Sequence, residues 1–168
     1  FSTNGMTLVA ASKKIHSFDS VDVRPPEAPP TQCMFNDVGF NFISTHEKDL
    51  KVWYPDTGYV LREVSGLSDT EITKIVFDAK RRKAIIANQG GEIQIFNNAN
   101  WSKIAELPEH DAEISCLLYA DDDKCIITGS WDRSIRIYDD FHNEPKSSLL
   151  RTVTNAHDSD FTALALSS

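Results

Sequence analysis

Three side chains in this sequence invite a catalytic reading. Ser130 and Asp132 sit two residues apart in GSWDRSIRIYDD, from Gly129 to Asp140, and His110 lies twenty residues upstream of Ser130. A hydroxyl, an imidazole and a carboxylate are the parts of an acyl-transfer site, as nucleophile, base and orienting group. The local sequence is TGSWD rather than GxSxG, so no strand-to-helix elbow presents Ser130. The same three groups can instead form a brace: a buried Asp needs donors, an imidazole can donate, and a hydroxyl can both donate and accept. The elements around them decide between the two readings.

Other reactive residues reduce to scaffold. HEKDL, starting at His46, lacks the second His of an HExxH zinc site. Asp121, Asp122 and Asp123 lack the spacing and Gly of a calcium loop and read as a solvated turn. Cys33, Cys116 and Cys125 form no CxxC and read as reduced thiols in strands, which fits a reducing, intracellular compartment. No metal or cofactor is expected. The net charge of −8 argues against a general nucleic-acid or anionic-membrane binder. No apolar run approaches the roughly 20 residues of a membrane helix, and with no basic segment followed by an apolar stretch at the start, no signal peptide is expected. RPPEAPP, from Arg24 to Pro30, contains a PxxP but reads as an irregular outer connection, so the outer strand there should be short or missing.

The chain repeats itself. ITKIVFDAKRRKAIIANQGGEIQIF, from Ile72, lies over ISCLLYADDDKCIITGSWDRSIRIY, from Ile114, at an offset of 42 residues that holds from end to end. Weaker copies surround TQCMF and LKVW, FSTNGMTLVAAS at the front, and FTALAL from Phe161. Each copy carries β-branched, alternating runs such as KAIIA, EIQIF and KIAEL with Gly, Asp and Asn between them. Four such strands and their turns occupy roughly 40 residues, the size of one propeller blade. Strand-c runs are expected at Ile15–Phe18, Leu50–Trp53, Ile93–Phe96 and Ile135–Tyr138.

HDAEISCLLYADDDKCIITGSWDRSIRIYDD resembles a WD repeat. The resemblance covers nearly the whole chain, strongest in this copy, fair in THEKDLKVWYPD with Glu47 at the Asp position, and degenerate in the other two. It implies an all-β propeller of four-stranded antiparallel blades, here an incomplete arc of a seven-bladed ring. Blade units are expected near 1–30, 31–68, 69–109 and 110–156, with the next starting at 157–168. A fragment of this kind should expose apolar blade faces and dissolve poorly by itself.

The resemblance also implies a structural hydrogen-bond network of His110, Ser130, Asp132 and Tyr138, with Tyr138 departing from the usual Trp. If Asp132 is held in its turn, Trp131 and Arg133 must point elsewhere, and His46 and Lys48 occupy the matching positions. These four are the partner-binding candidates. The turn bearing Lys80, Arg81 and Arg82 matches one bearing Asp122, Asp123 and Lys124, which reads as a weak surface ion pair, with a charge-patterned docking edge as the alternative.

The expected function is a non-catalytic protein–protein interaction scaffold. Its partners would be the remaining blades of the propeller and other proteins of a larger intracellular complex, cytoplasmic or cytoskeletal, with the ciliary axoneme as one setting. The alternatives are a phosphopeptide- or ligand-recognition propeller and, further off, a propeller enzyme. The inner runs TQCMF, ITKIVF, ISCLLY and FTALAL are mainly apolar and offer an enzyme no convergent acids or bases.

Overall fold

The computed structural model describes residues 10–11, 15–16, 29–140 and 148–166. Every regular element among them is a strand, and no helix occurs. The chain divides into two compact units, Phe1–Ile72 and Thr73–Ser168.

The first unit holds a short ladder of β1 (Ala10–Ala11) with β2 (Ile15–His16) and one four-stranded antiparallel sheet. That sheet is β3 (Gln32–Asn36), β4 (Asn41–His46), β5 (Asp49–Trp53) and β6 (Val60–Val64), in sequence order. Phe42 pairs with Trp53 and His46 with Asp49, which leaves two residues in the β4–β5 turn. Ile43, Leu50, Val52 and Trp53 are buried. Removing each such side chain from water is worth about 2 kcal/mol. Pro29 and Pro30 precede β3 unpaired, whereas Arg24 to Ala28 and Phe18 lie outside the described residues.

The second unit carries two more sheets of the same plan. The first is β7 (Ile72–Phe77, whose first residue closes the other unit), β8 (Lys83–Asn88), β9 (Ile93–Asn97) and β10 (Lys103–Leu107). The other is β11 (Ile114–Ala120), β12 (Cys125–Ser130), β13 (Ile135–Asp139) and β14 (Leu149–Val153). Ile85, Ala87, Ile93, Ile95 and Leu107 of the first pack into one core with Ile114, Leu117, Ile126 and Tyr138 of the second. KAIIAN reads as a nearly continuous apolar run because β8 is buried on both faces. The expected strand-c runs after the first lie in β5, β9 and β13, and Ile15–His16 of the first forms β2. Residues 161–166 form no ladder, although Phe161 is buried.

A hydroxyl recurs every 42 residues beside these inner strands, at Thr31, Thr73 and Ser115. Thr73 Oγ1 donates to Ala87 O within its own sheet and to Ile114 O of the next sheet. Ser115 Oγ donates likewise to Gly129 O and to Phe161 O. In the first unit, Thr31 Oγ1 donates to Thr45 O and to Ile72 O. Among the described residues no strand ladder runs from one four-stranded sheet to another, and these side chains supply a polar link beside the apolar core.

Candidate partner-binding turns and the brace beneath them

The β12–β13 turn spans Trp131 to Arg133, closed by Ser130 N donating to Ser134 O at 3.2 Å. Asp132 Oδ2 lies 2.8 Å from His110 Nδ1, and Asp132 Oδ1 accepts from Ser134 N at 2.8 Å and Ser134 Oγ at 2.6 Å. Burial pushes the Asp132 carboxyl up, but the hydrogen bonds from Ser134 and His110 outweigh it and hold it at about 2. Burial pushes the His110 imidazole down, and the pull of Asp132 does not reverse the shift. The ring is therefore neutral at pH 7, with Nδ1–H donating to Asp132 and Nε2 left to accept.

The hydroxyl on Nε2 is that of Thr128, at 2.7 Å, and not that of Ser130. Both side chains lie on the same face of β12, two residues or roughly 6.5 Å apart, so one imidazole held by Asp132 reaches only one of them. Ser130 Oγ instead donates to Ala112 O at 3.0 Å and accepts from Asp132 N at 3.1 Å. Tyr138 is fully buried, and its hydroxyl donates to Pro108 O at 2.8 Å. Arg136 donates to Glu109 O. The loop from Pro108 to Glu113 is thus held along its length, with Trp131 N donating to Glu113 O at 2.9 Å.

The preceding sheet grips the same loop from the other side. His110 N donates to Gly91 O at 2.9 Å. Gly91 has φ of 90°, and a Cβ there would lie 2.4 Å from His110 O. Glycine at this position allows the two backbones to meet.

The β3–β6 sheet builds its brace within one hairpin. Trp53 Nε1 donates to Ser44 Oγ at 2.7 Å, and Ser44 Oγ lies 2.7 Å from His46 Nε2. Ser44 corresponds in space to Thr128, since each stands two residues past the strand partner of the strand-c aromatic.

Residues 101–139 match the family model "WD domain, G-beta repeat". Those residues carry a WD repeat, and the three four-stranded sheets have the build of propeller blades. Over 121 residues it is 28% identical to the Cilia- and flagella-associated protein 337 B of Tetrahymena thermophila, covering 72% of this chain and 10% of that protein. Among solved structures, the computationally designed Ika4 protein superposes with a TM-score of 0.72 at 21% identity, covering 91% of this chain and 89% of Ika4. The WD40 repeats of RRP9 superpose with a TM-score of 0.73 at 15% identity, over 93% of this chain and 46% of theirs. U3-55K gives a TM-score of 0.72 at 14% identity, over 83% and 43%. The chain thus spans about a tenth of the ciliary relative's length.

In the WD repeat of β11–β14, Trp131 is 47% exposed and Arg133 is exposed, with φ of 66°. Lys48 is exposed in the first unit. His46 is placed otherwise than expected: it is 4% exposed and turned onto Ser44. The cause is turn length. The β4–β5 turn has one residue fewer than the β12–β13 turn, so His46 is the last paired residue of its strand, whereas Trp131 stands in its turn. Sequence reasoning missed Ser134, whose signal was the Asp-x-Ser spacing of a side-chain-closed turn.

At the opposite end of the second unit, the side chain that crosses between sheets is neither Lys80 nor Arg82. Lys83 Nζ reaches Asp140 Oδ1 at 2.6 Å, and Tyr119 OH donates to Asp140 Oδ2 at 2.8 Å. Arg81 stacks over the Phe77 ring at 5.3 Å. Among the described residues no group of three or more His, Cys, Asp or Glu is placed to hold a metal ion.

Proposed function

We propose that this chain is a non-catalytic interaction scaffold of a larger assembly and that it binds partner proteins through its strand-b to strand-c turns. The observation that carries the reading is the division of labour at Trp131–Asp132–Arg133. Asp132 is turned inward onto His110 and Ser134, and its two neighbours are exposed. The turn backbone is thereby fixed from below, which lowers the ordering cost of binding through it. Those two residue types are also the most enriched at interface hot spots. Lys48, exposed on the matching turn of the first unit, belongs to the same reading. We assign the ring to the seven-bladed kind, of which these repeats form an arc, with blade units near 1–30, 31–68, 69–109 and 110–156. The name of the Tetrahymena relative supports a ciliary setting.

The test is to express the full protein, tagged, in a ciliated cell and to compare it with Trp131→Ala and Arg133→Ala. The expected result is ciliary enrichment of the wild type and at least about tenfold weaker partner capture by Trp131→Ala. The melting temperature should be nearly unchanged. Unfolding of Trp131→Ala, with normal capture by the folded fraction, would make Trp131 a packing residue and sink the proposal.

A further inference from the structure

The first unit carries a second surface of different chemistry, at the end of its sheet away from the β4–β5 turn. The β3–β4 turn (36–41) and the β5–β6 turn (54–59) lie side by side there, because β4 and β5 are paired up to Phe42 and Trp53, where the two turns adjoin them. Tyr54 N donates to Tyr59 O at 2.9 Å, so the two tyrosines are opposed and their side chains share one face. Val38, Phe40, Tyr54 and Tyr59 are each half exposed or more.

Phe40 is held out by its own turn. It has φ of 49°, a conformation that favours glycine, although Gly39 is its neighbour. A Cβ at Gly39 would lie 2.5 Å from Asn41 Nδ2 and 2.8 Å from Asn36 Nδ2, so the two amide side chains close over it. The turn thus puts an exposed aromatic, edge-on to Phe35 (ring centroids 5.6 Å), where a less costly residue would serve the backbone. The two turns contain Asp37 and Asp56 and no Lys, Arg or His. Aromatic faces beside carboxylates attract cations: the ring quadrupole and the negative charge act together on a guanidinium or ammonium. β6, which begins at this patch, is the outer edge of the sheet.

We propose that this end of the β3–β6 sheet binds an extended, arginine- or lysine-bearing segment of a partner protein, with its cations over Tyr54, Tyr59 and Phe40 and facing Asp56. The site is separate from the Trp131 turn.

The test is fluorescence anisotropy of the full protein with a fluorescein-labelled peptide of alternating arginine and valine, and with its glutamine–valine counterpart. The arginine peptide should bind and the glutamine peptide should bind at least about tenfold more weakly. The double variant Tyr54→Ala/Tyr59→Ala should weaken binding about tenfold, and Asp56→Asn by a smaller factor. Phe40→Gly should weaken binding without lowering the melting temperature, since glycine relieves the backbone. Asp122→Asn and Trp131→Ala should leave binding unchanged. Equal binding of the two peptides, or wild-type binding by the double tyrosine variant, would overturn the proposal. So would an Asp122→Asn loss as large as that of Asp56→Asn, because attraction would then come from the overall charge of −8. Loss of peptide binding in Trp131→Ala would overturn it as well, by moving the site to the other turn.

Discussion

The sheets β3–β6 and β11–β14 meet the same need, a hydroxyl on strand b that requires partners, with groups of different origin. In β3–β6 the partners of the Ser44 hydroxyl come from its own hairpin: Trp53, Ser44 and His46 lie within nine residues of one another. In β11–β14 the imidazole comes from the loop before the sheet, 18 residues from Thr128 and 22 from Asp132. A local brace stiffens its own hairpin. A distant one also fixes the loop that joins two sheets, and His110 does this while its backbone is bonded to Gly91. The substitutions below separate the two cases.

The largest effect is expected for His110→Ala. It leaves Asp132 and Thr128 without their shared partner and removes the side-chain tie at the middle of the Pro108–Glu113 loop, for a loss of about 3 kcal/mol. Urea unfolding gives the magnitude, and amide exchange should quicken at Asp111 and Trp131. His46→Ala, by contrast, should cost about 1 kcal/mol, because Ser44 keeps its bond from Trp53. Equal losses would abolish the distinction between local and distant braces.

Gly91→Val tests the backbone side of the same loop. With a Cβ position 2.4 Å from His110 O and φ of 90°, the substitution should cost about 2 to 3 kcal/mol and should not add to His110→Ala in full. A calorimetric double-mutant cycle measures that coupling. In β3–β6, Ser44→Ala leaves the buried indole N–H of Trp53 unpaired and should cost about 1 to 2 kcal/mol, with exchange quickened only within its own sheet.

Acid should weaken β11–β14 in two graded steps. The folded state holds His110 below its ordinary value of 6.5, so the unfolded chain binds the extra proton first and stability declines as pH falls below that value. Asp132, at about 2 when folded against 3.8 ordinarily, adds a second decline between those two values. His110→Gln should flatten the upper step and Asp132→Asn the lower, as read from urea midpoints across pH.

The smallest net effect is expected for Tyr138→Trp, which gives β13 the residue that β5 has. The indole N–H can take Thr128 Oγ1 as Trp53 takes Ser44, whereas the bond to Pro108 O is lost and the ring is larger. The net change should be below about 1 kcal/mol, with a new indole N–H signal protected from exchange. Rapid exchange of that N–H would show that the two strand-b hydroxyls are not equivalent sites.

The strands were legible in the sequence because their signal is additive: alternation, β-branching and a 42-residue offset all mark the same runs. The brace was legible only in outline. His110 and Asp132 follow from spacing, but the choice of Thr128 over Ser130 turns on which of two same-face residues sits beneath the ring, and composition does not record that. The burial of His46 follows from a turn shorter by one residue, which an alignment made through strand c passes over. Likewise Lys83, the first residue of β8, crosses between sheets to Asp140, and the more conspicuous Lys80–Arg82 run beside it draws attention from it in the sequence.

The hydroxyls of Thr31, Thr73 and Ser115 bear on how such chains arise and change. Each repeat carries its own fastener at the start of its innermost strand or just before it, and the acceptor is a main-chain carbonyl, which every residue type offers. A copied repeat would therefore arrive with a working joint and would ask nothing of its neighbour's side chains. The spacing from Ile114 to Phe161 is longer than that from Ile72 to Ile114, yet Ser115 still finds Phe161 O. Extra length between strands is absorbed away from the joint, so outer segments are free to diverge while the order of assembly is kept.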